Sequence, residues 1–263
     1  MTRINIALTA SEDWLEYSAI TAASILKHAK QDDDYHFYIV CNKFSKKIKK
    51  IFYSLDNIKK SEYKFLTVDD SEFEGAIHDW LGVSASYRLK LSKLVDEDKI
   101  LYLDSDIIAM QDISELYSKD ISDYYLAAVE DKCSSMMKGR IGLNNEKTFF
   151  NSGLQLINLK MFRDENLEPI IFEKLRASTY YTDQDVINDV CRDKILSLPL
   201  KYNIVPNGLY VEREEERDNA FKHPVLLHFE KKPWKNPEVE FVKEWLQYQE
   251  LLTNKDNANC QND

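Results

Sequence analysis

The chain is short of the residues that mark several common classes of protein. Its 263 residues include six glycines, six prolines and four cysteines. No G-x-G-x-x-G or Walker-type loop occurs, so the local signatures of dinucleotide and P-loop nucleotide binding are missing. The cysteines are far apart and form no C-x-x-C pair, which argues against a zinc ribbon or a disulfide framework and favours a reducing compartment.

The sequence also lacks excess positive charge and long apolar runs. Its formal net charge is -10, whereas a general nucleic-acid binder needs a basic surface, so we expect no nucleic-acid partner. No run approaches the ~18 apolar residues of a membrane-spanning helix, and the N-terminus lacks the apolar segment of a signal peptide. The basic stretch at 46–50 (KKIKK) predicts the solvated face of a helix, with contact to an anionic membrane or acceptor as the alternative. We therefore expect a cytoplasmic protein, with at most peripheral contact at the inner face of the membrane.

Apolar segments of two kinds alternate through the first half of the chain. Hydrophobic residues make up 44% of the sequence, enough for a sizeable core. Runs rich in β-formers predict strands at 3–10, 35–41, 62–68 and 99–104, and helical spacing predicts helices at 15–29, 44–55 and 86–95. Ser45 is a candidate cap for the second helix. This alternation predicts an α/β fold with a mostly parallel sheet.

The second half of the chain is less regular. It predicts strands at 125–131, 153–159 and 224–229, an extended stretch at 194–203, and helices at 168–178, 183–193 and 238–252. A long loop at 131–148 is expected to contribute to an acceptor cleft. We predict one domain over 1–252, with a nucleotide half at about 1–112 and an acceptor half at about 113–252, followed by a disordered tail at 253–263.

Two aspartates interrupt the apolar stretch ILYLDSDIIA. Asp104 and Asp106 come at the carboxyl end of the fourth predicted strand, where parallel sheets bind their ligands. A D-x-D alone is common, and on its own it more often marks a turn or a solvated pair. Here apolar residues flank it on both sides, which leaves little reason for surface acids. Two close carboxylates repel, and a divalent cation relieves that repulsion.

A late histidine is the candidate third ligand. His228 ends the apolar run PVLL, a place where an isolated histidine is usually a hydrogen-bonded core residue. Lys231 and Lys232 follow it on a turn restricted by proline before Trp234, and such cations can meet phosphate oxygens. A mixed carboxylate and imidazole set suits Mn²⁺ or Mg²⁺ better than Ca²⁺.

Five segments together resemble the family 8 glycosyltransferases, which are retaining, metal-dependent enzymes with the GT-A fold. The segments are Asp104-Ser105-Asp106 after ILYL, 149–163 (FFNSGLQLINLKMFR), 182–188 (TDQDVIN), 198–203 (LPLKYN) and 228–234 (HFEKKPW), in the family's order and rough spacing. The family includes bacterial lipopolysaccharide and lipooligosaccharide glucosyl- and galactosyltransferases, and glycogenin is a distant relative. The resemblance covers about 3–236. It implies a mostly parallel, Rossmann-like GT-A sheet flanked by helices, with a smaller acceptor-side region.

The resemblance also implies the chemistry. A hexose, glucose or galactose, would pass from a UDP-sugar to a glycan or lipid-linked glycan acceptor in cell-surface polysaccharide synthesis. Asp104, Asp106 and His228 would bind Mn²⁺ or Mg²⁺ at the diphosphate, and Asp183 and Gln184 would be the catalytic residues. The implied donor-binding set is Thr9, Ala10, Ser11, Asp13, Trp14, Arg88, Asp104, Ser105, Asp106, Asn151, Gly153, Asp183, Gln184 and Lys232.

These residue types suit the reaction on physical grounds. A cation and a lysine stabilise the charge that gathers on a diphosphate leaving group. A carboxylate such as Asp183 favours an oxocarbenium-like sugar, and Gln184 can hold that sugar without a formal charge. Retention by same-face attack and retention through a covalent intermediate both stay open.

Two positions depart from the family pattern. Ser11 stands where the family often has an aspartate, with Asp13 nearby, and Glu230 stands where the final loop usually carries a glycine, in a shorter loop. These departures motivate the alternative of a non-catalytic nucleotide-sugar-binding or scaffold protein of the same fold. A nucleotidyltransferase or a dinucleotide-dependent oxidoreductase ranks below both, because the glycine motifs are missing.

Overall fold

A central sheet organises this chain, whose structure is a computed structural model. The structure describes residues 2–77, 82–144, 147–178, 180–208 and 214–253. Within these ranges nine strands form a seven-stranded sheet, of order β3-β2-β1-β4-β7-β6-β8, and a two-stranded sheet of β5 and β9. The strands are β1 (Arg3–Thr9), β2 (Asp34–Cys41), β3 (Glu62–Thr67), β4 (Lys99–Leu103), β5 (Ile107–Ala109), β6 (Leu126–Val129), β7 (Leu154–Asn158), β8 (Ile195–Leu198) and β9 (Leu226–His228).

The large sheet is mostly parallel, as predicted. Strand β1 pairs in parallel with β2 and β4, β2 with β3, and β6 with β8. Strand β7 lies between β4 and β6 and runs antiparallel to both. Because β1 and β4 are parallel neighbours, their carboxyl ends at Thr9 and Leu103 open onto the same edge of the sheet.

Helices cover both faces of this sheet. They are α1 (Leu15–His28), α2 (Lys46–Ser54), α3 (Leu91–Leu94), α4 (Ser114–Tyr117), α5 (Ser134–Met137), α6 (Leu159–Asp164), α7 (Leu167–Ala177), α8 (Asp183–Cys191), α9 (Glu214–Lys222) and α10 (Val242–Thr253). In β1, Ile6 and Leu8 face the core formed with α1 and α10, while Ala7 faces the core formed with α7 and α8. Strands that are buried on both faces carry continuous apolar runs, which explains the sequence signal.

The structure confirms several local predictions. Ser45 caps α2, and its hydroxyl accepts a hydrogen bond from the Ile48 backbone N–H at 3.2 Å. The lysines of the basic stretch are exposed, while Ile48 and Phe52 on the opposite side of α2 are buried. The predicted acids in the first turn of α8, Asp183 and Asp185, are also found there.

The helix predicted at 86–95 is present, but most of it is a 3₁₀-helix. The structure has a 3₁₀-helix at Val83–Lys90 and then the single turn α3. Arg88 and Lys90 are buried in this segment and form ion pairs, Arg88 with Asp104 and Lys90 with Glu168. Tertiary ion pairs of buried side chains therefore outweigh the local α-helical preference.

Other boundaries differ where short elements were missed. The predicted loop at 131–148 contains α5 and a 3₁₀-turn at Lys138–Ile141, and 145–146 lie outside the described residues. The extended stretch at 194–203 divides into β8 and a 3₁₀-turn at Leu200–Tyr202. The closing helix begins at Val242 and includes Thr253, and the rest of the predicted tail, 254–263, lies outside the described residues. No helix in the described ranges is long and apolar enough to span a bilayer.

Trp245 anchors α10 to the core. Its indole is fully buried, with ring centroids 5.1 Å from Trp234, 5.5 Å from Phe229 and 6.4 Å from Tyr17. We expect Trp245→Ala to lower the free energy of unfolding by about 3–5 kcal/mol, measured by urea denaturation. The neighbouring Leu246, which is 41% exposed, provides the control, and Leu246→Ala should lower it far less. Equal losses in the two variants would contradict this packing.

Candidate functional site

The paired aspartates lie where the chain passes from one sheet to the other. Strand β4 ends at Leu103, a turn holds Asp104 and Asp106, and β5 begins at Ile107. Strand β5 pairs antiparallel with β9, which places Ile107 opposite His228. The main-chain pairing of β5 with β9 therefore brings the late histidine beside the two acids.

The three predicted metal ligands converge. One ligand atom from each of Asp104, Asp106 and His228 lies within 4.8 Å of the others. The His228 Nε2 atom is 3.3 Å from Asp106 Oδ1 and 3.8 Å from Asp104 Oδ2. Two carboxylate oxygens and one imidazole nitrogen form a donor set that fits a divalent cation such as Mn²⁺.

Each of these ligands is held through its other polar atom. Asp104 Oδ1 accepts hydrogen bonds from Tyr102 Oη and, at 3.0 Å, from Arg88 Nη2. Asp106 Oδ2 accepts from Lys232 Nζ. His228 Nδ1 lies 3.1 Å from Asn203 Oδ1. The remaining atom of each side chain faces the point where the three side chains converge. Hydrogen bonds of this kind orient the ligands in metal sites.

Gly153 makes room for this convergence. The Asp104 N–H donates to the Gly153 carbonyl at 2.8 Å. A Cβ at this position would lie 2.3 Å from His228 Cε1 and 2.8 Å from Asp104 Oδ2. Only a residue without a side chain allows the histidine ring and the carboxylate to occupy these positions.

Acidic and basic side chains of the site shift one another's pKa values. Burial alone would raise the pKa of Asp106, but His228 and Lys232 outweigh it and hold that pKa well below the usual range. Burial alone would lower the pKa of His228, and the Asp106 and Asp104 carboxylates raise it overall. Burial alone would also lower the pKa of Arg88, but Asp104 and other groups raise it overall. Cations and acids therefore stabilise one another in the folded protein.

The first turn of α8 carries the predicted catalytic pair. Thr182 and Asp185 form a capping box that fixes this turn, which gives Asp185 a structural role. Asp183 Oδ2 lies 3.2 Å from Arg88 Nε, and burial raises the pKa of Asp183 although Arg88 opposes the rise. Gln184 Oε1 accepts from the Ser152 N–H at 2.8 Å. The helix start thus places Gln184 against the segment before β7 and Asp183 against Arg88.

Residues that the sequence analysis did not single out complete this side of the site. The Asp131 Oδ2 atom accepts from Gln184 Nε2 at 3.3 Å and from Asn151 Nδ2 at 3.2 Å. Arg88 Nη1 donates to the Ser152 carbonyl at 2.6 Å, and its Cζ lies 4.5 Å from the Tyr102 ring centroid. Asp131 follows β6 closely, and an acid near a carboxyl strand end was a signal that could have identified it.

A cavity of about 410 Å³ opens beside the acids. Nine residues of the implied donor-binding set line it, together with Gly82, Ser84, Ala85 and Tyr102; the nine are Thr9, Ala10, Ser11, Trp14, Arg88, Asp104, Ser105, Asp106 and Lys232. Five others of the set do not line it: Asp13, Asn151, Gly153, Asp183 and Gln184. The Asp13 side chain is exposed to solvent. Asp183 contacts Arg88, and Gly153 contacts Asp104. Asn151 accepts a hydrogen bond from the Gly153 N–H and Gln184 accepts one from the Ser152 N–H.

The loop after His228 presents a lysine to the site. Lys232 lines the cavity, reaches Asp106 and lies 5.6 Å from the centroid of the Trp14 ring. Glu230, which stands in place of the family's glycine, pairs with Lys132. Its carboxylate is thereby directed to a cation outside the cavity lining.

Comparisons with known proteins find a family model and relatives that match most of this chain. The model described as glycosyl transferase family 8 matches residues 5–238. A Haemophilus influenzae protein is 29% identical over 213 residues, which cover 77% of this chain and 64% of that protein. The lipopolysaccharide 1,2-glucosyltransferase of Escherichia coli is 27% identical over 250 residues, which cover 88% of this chain and 73% of that protein. The chain spans 24% of another relative, from Streptococcus gordonii, so some of the matched relatives are much longer.

A solved structure supports the fold. The galactosyltransferase LgtC, in complex with donor and acceptor sugar analogs, superposes with a TM-score of 0.79 at 22% identity. The match covers 94% of this chain and 95% of that chain. The likeness confirms the predicted GT-A fold class.

Proposed function

Because the chain belongs to glycosyl transferase family 8, we propose that it transfers a hexose from a UDP-sugar to a glycan acceptor with retention of configuration. The observation that carries this proposal is the convergence of Asp104, Asp106 and His228 beside a cavity large enough for part of a nucleotide. Glucose and galactose are the candidate sugars. The name of the Escherichia coli relative supports a role in cell-surface polysaccharide synthesis. We further propose that the enzyme is cytoplasmic, with at most peripheral contact with the membrane.

The three converging side chains would hold Mn²⁺, or Mg²⁺ in its place. The donor set fits such an ion, and Gly153, which has no Cβ, allows the His228 ring and the Asp104 carboxylate to come together. When bound, the ion supplies positive charge beside the diphosphate leaving group. Lys232 lines the same cavity and would add a charge-assisted hydrogen bond to a phosphate oxygen.

The nucleotide itself would lie along the end of β1. Thr9, Ala10, Ser11 and Trp14 line the cavity there. The Trp14 ring offers an apolar face for a base, because stacking on an aromatic ring tolerates any flat heterocycle. Ser11 would contribute a hydroxyl, which can donate or accept at the edge of the base.

The transferred sugar would lie between Arg88 and the start of α8. The buried Asp183 carboxylate, held by Arg88, would stabilise positive charge on the sugar as the bond to the leaving group breaks. Gln184 is fixed at both ends of its amide, by the Ser152 N–H and by Asp131, and so would hold the sugar without rearranging. Asn151 and Gly153 would shape the same pocket.

A nucleotide-release assay tests the proposal. The purified chain is incubated with UDP-glucose, UDP-galactose, UDP-GlcNAc or GDP-mannose, with Mn²⁺ or with EDTA. We expect slow release of UDP from one of the two UDP-hexoses, lost with EDTA and restored by Mn²⁺, because many transferases hydrolyse the donor when no acceptor is present. The Gln184→Ala variant should lose this release while still binding UDP.

The same assay separates the proposal from the non-catalytic alternative. A scaffold protein would bind UDP and release nothing from any donor, with or without added glycan acceptors. The position of Lys232 on the cavity weakens one of the two reasons for the alternative, because it leaves a cation where a diphosphate would lie. Absence of release under all these conditions, together with tight UDP binding, would favour the scaffold.

A further inference from the structure

Asn203 ends the LPLKYN segment, and the proposed function gives it no role. Its side chain is buried, at 3% exposure, directly after the 3₁₀-turn at Leu200–Tyr202. Its Nδ2 atom donates to Asn151 Oδ1 at 2.8 Å, and its Oδ1 lies 3.1 Å from His228 Nδ1. One amide therefore joins the sugar side of the site to the metal side.

The direction of these hydrogen bonds follows from a fixed backbone donor. The Gly153 N–H can only donate, and it donates to Asn151 Oδ1 at 3.0 Å. The other end of the Asn151 amide, Nδ2, then donates to the Asp131 carboxylate at 3.2 Å. Because Asn151 presents an oxygen to Asn203, Asn203 must present its NH₂ group in return, and its own oxygen faces His228.

This orientation determines where the neutral histidine carries its proton. An amide oxygen accepts and cannot donate, so the hydrogen bond to Asn203 requires a proton on His228 Nδ1. The Nε2 atom then carries the lone pair, and it is this atom that faces Asp104 and Asp106. A metal ligand needs that lone pair.

We propose that Asn203 is a positioning residue that selects the Nδ1–H tautomer of His228 and couples this ligand to Asn151. The proposal rests on the proposed function for the roles of His228 and Asn151, while the tautomer itself follows from the hydrogen bonds alone. Partners of this kind around a metal ligand typically change metal affinity by about 10–100-fold when they are removed.

Asn203 acts on the ring, because the backbone of β9 is held independently. The His228 N–H donates to the Ile204 carbonyl at 2.7 Å, and β9 pairs with β5. Loss of the Asn203 side chain should therefore free the imidazole to rotate or change tautomer while the strand keeps its place.

Two substitutions separate the two contacts. Asn203→Ala removes both. Asn203→Asp keeps an acceptor for His228 and removes the donor to Asn151. Asn5→Ala is the matched control, since Asn5 is a buried amide that donates to Glu97 and to the Lys99 carbonyl, in contacts separate from those of Asn203 and His228.

The first measurement uses the metal-free full chain. Long-range ¹H–¹⁵N spectra of the histidine rings, recorded in alkaline buffer where the rings are neutral, report the tautomer; the His228 signals are identified by their loss in His228→Gln. We expect the Nδ1–H form in the wild type, in Asn203→Asp and in Asn5→Ala, and a mixture or the Nε2–H form in Asn203→Ala. A predominant Nε2–H form in the wild type would overturn the proposal.

The second measurement is Mn²⁺ binding, followed by electron paramagnetic resonance of the free ion. Affinity should fall about 10–100-fold in Asn203→Ala and stay close to the wild-type value in Asn203→Asp and Asn5→Ala. Nucleotide release should fall in Asn203→Asp through kcat, because Asn151 has lost the hydrogen bond from Asn203 and keeps only the one from the Gly153 N–H. Unchanged Mn²⁺ affinity in a folded Asn203→Ala protein would overturn the proposal. If the wild type releases no nucleotide while the tautomer and Mn²⁺ results hold, the proposed function fails and the role of Asn203 stands.

Discussion

Replacing Asp106 with asparagine is expected to reduce Mn²⁺-dependent nucleotide release by about 1,000-fold or more. The substitution keeps the shape of the side chain and removes the negative charge of the Asp106 carboxylate. Lys232 and His228 both contact this carboxylate, and they would be left as close cations without it. A bound divalent ion contributes several kcal/mol to a reaction that expels a diphosphate, and each ~1.4 kcal/mol lost lowers the rate tenfold.

Asp33→Asn is the matched control for this experiment. Asp33 is also a buried aspartate, 9% exposed, and its Oδ1 accepts from the Thr2 N–H at 3.1 Å, next to the amino-terminal end of β2. It therefore lies at the edge of the sheet opposite the cavity and should leave nucleotide release unchanged. Release of UDP by Asp106→Asn at a rate within about tenfold of the wild type would contradict metal binding by this carboxylate.

The parts of the fold that the sequence predicted are those governed by local patterns. The apolar run before Asp104 identified β4 because a strand that is buried on both faces needs continuous hydrophobic residues. The Ser45 cap and the acids of the first turn of α8 followed from the free backbone N–H groups of a helix start. These signals involve neighbours in sequence, so no tertiary information was required.

The arrangement of the site depends instead on contacts between distant residues. The approach of His228 to Asp106 comes from the pairing of β5 with β9. The sequence predicted a strand around β9 but neither its partner nor β5, which is only three residues long. The antiparallel direction of β7 has no local signature either. Asp131 acts through a hydrogen bond to Gln184, and a hydrogen bond across the fold leaves no trace in spacing. The sequence around His228 and the family resemblance both predicted this ligand, and the structure supplied the residues that orient it.

Gly153→Ala is expected to have the second largest effect on the site. The added methyl group would lie 2.3 Å from His228 Cε1 and 2.8 Å from Asp104 Oδ2, closer than real Cβ contacts. Neither neighbour can yield easily, because His228 is held by Asn203 and Asp104 by Arg88 and Tyr102. The imidazole and the carboxylate must move apart, and a displacement of about 1 Å at a reacting centre costs about 100-fold in rate.

The expected result for Gly153→Ala is a loss of about 100-fold in nucleotide release with a parallel loss of Mn²⁺ affinity, and a decrease of about 1–3 kcal/mol in the free energy of unfolding from overpacking. Gly139→Ala provides the control, because a Cβ at Gly139 meets no atom within 4 Å and its backbone is unstrained. That variant should bind Mn²⁺ and release nucleotide as the wild type does. If Gly153→Ala were folded and bound Mn²⁺ with wild-type affinity, His228 and Asp104 could not both be ligands of the ion in the arrangement described, and the proposed metal centre would have to lie elsewhere.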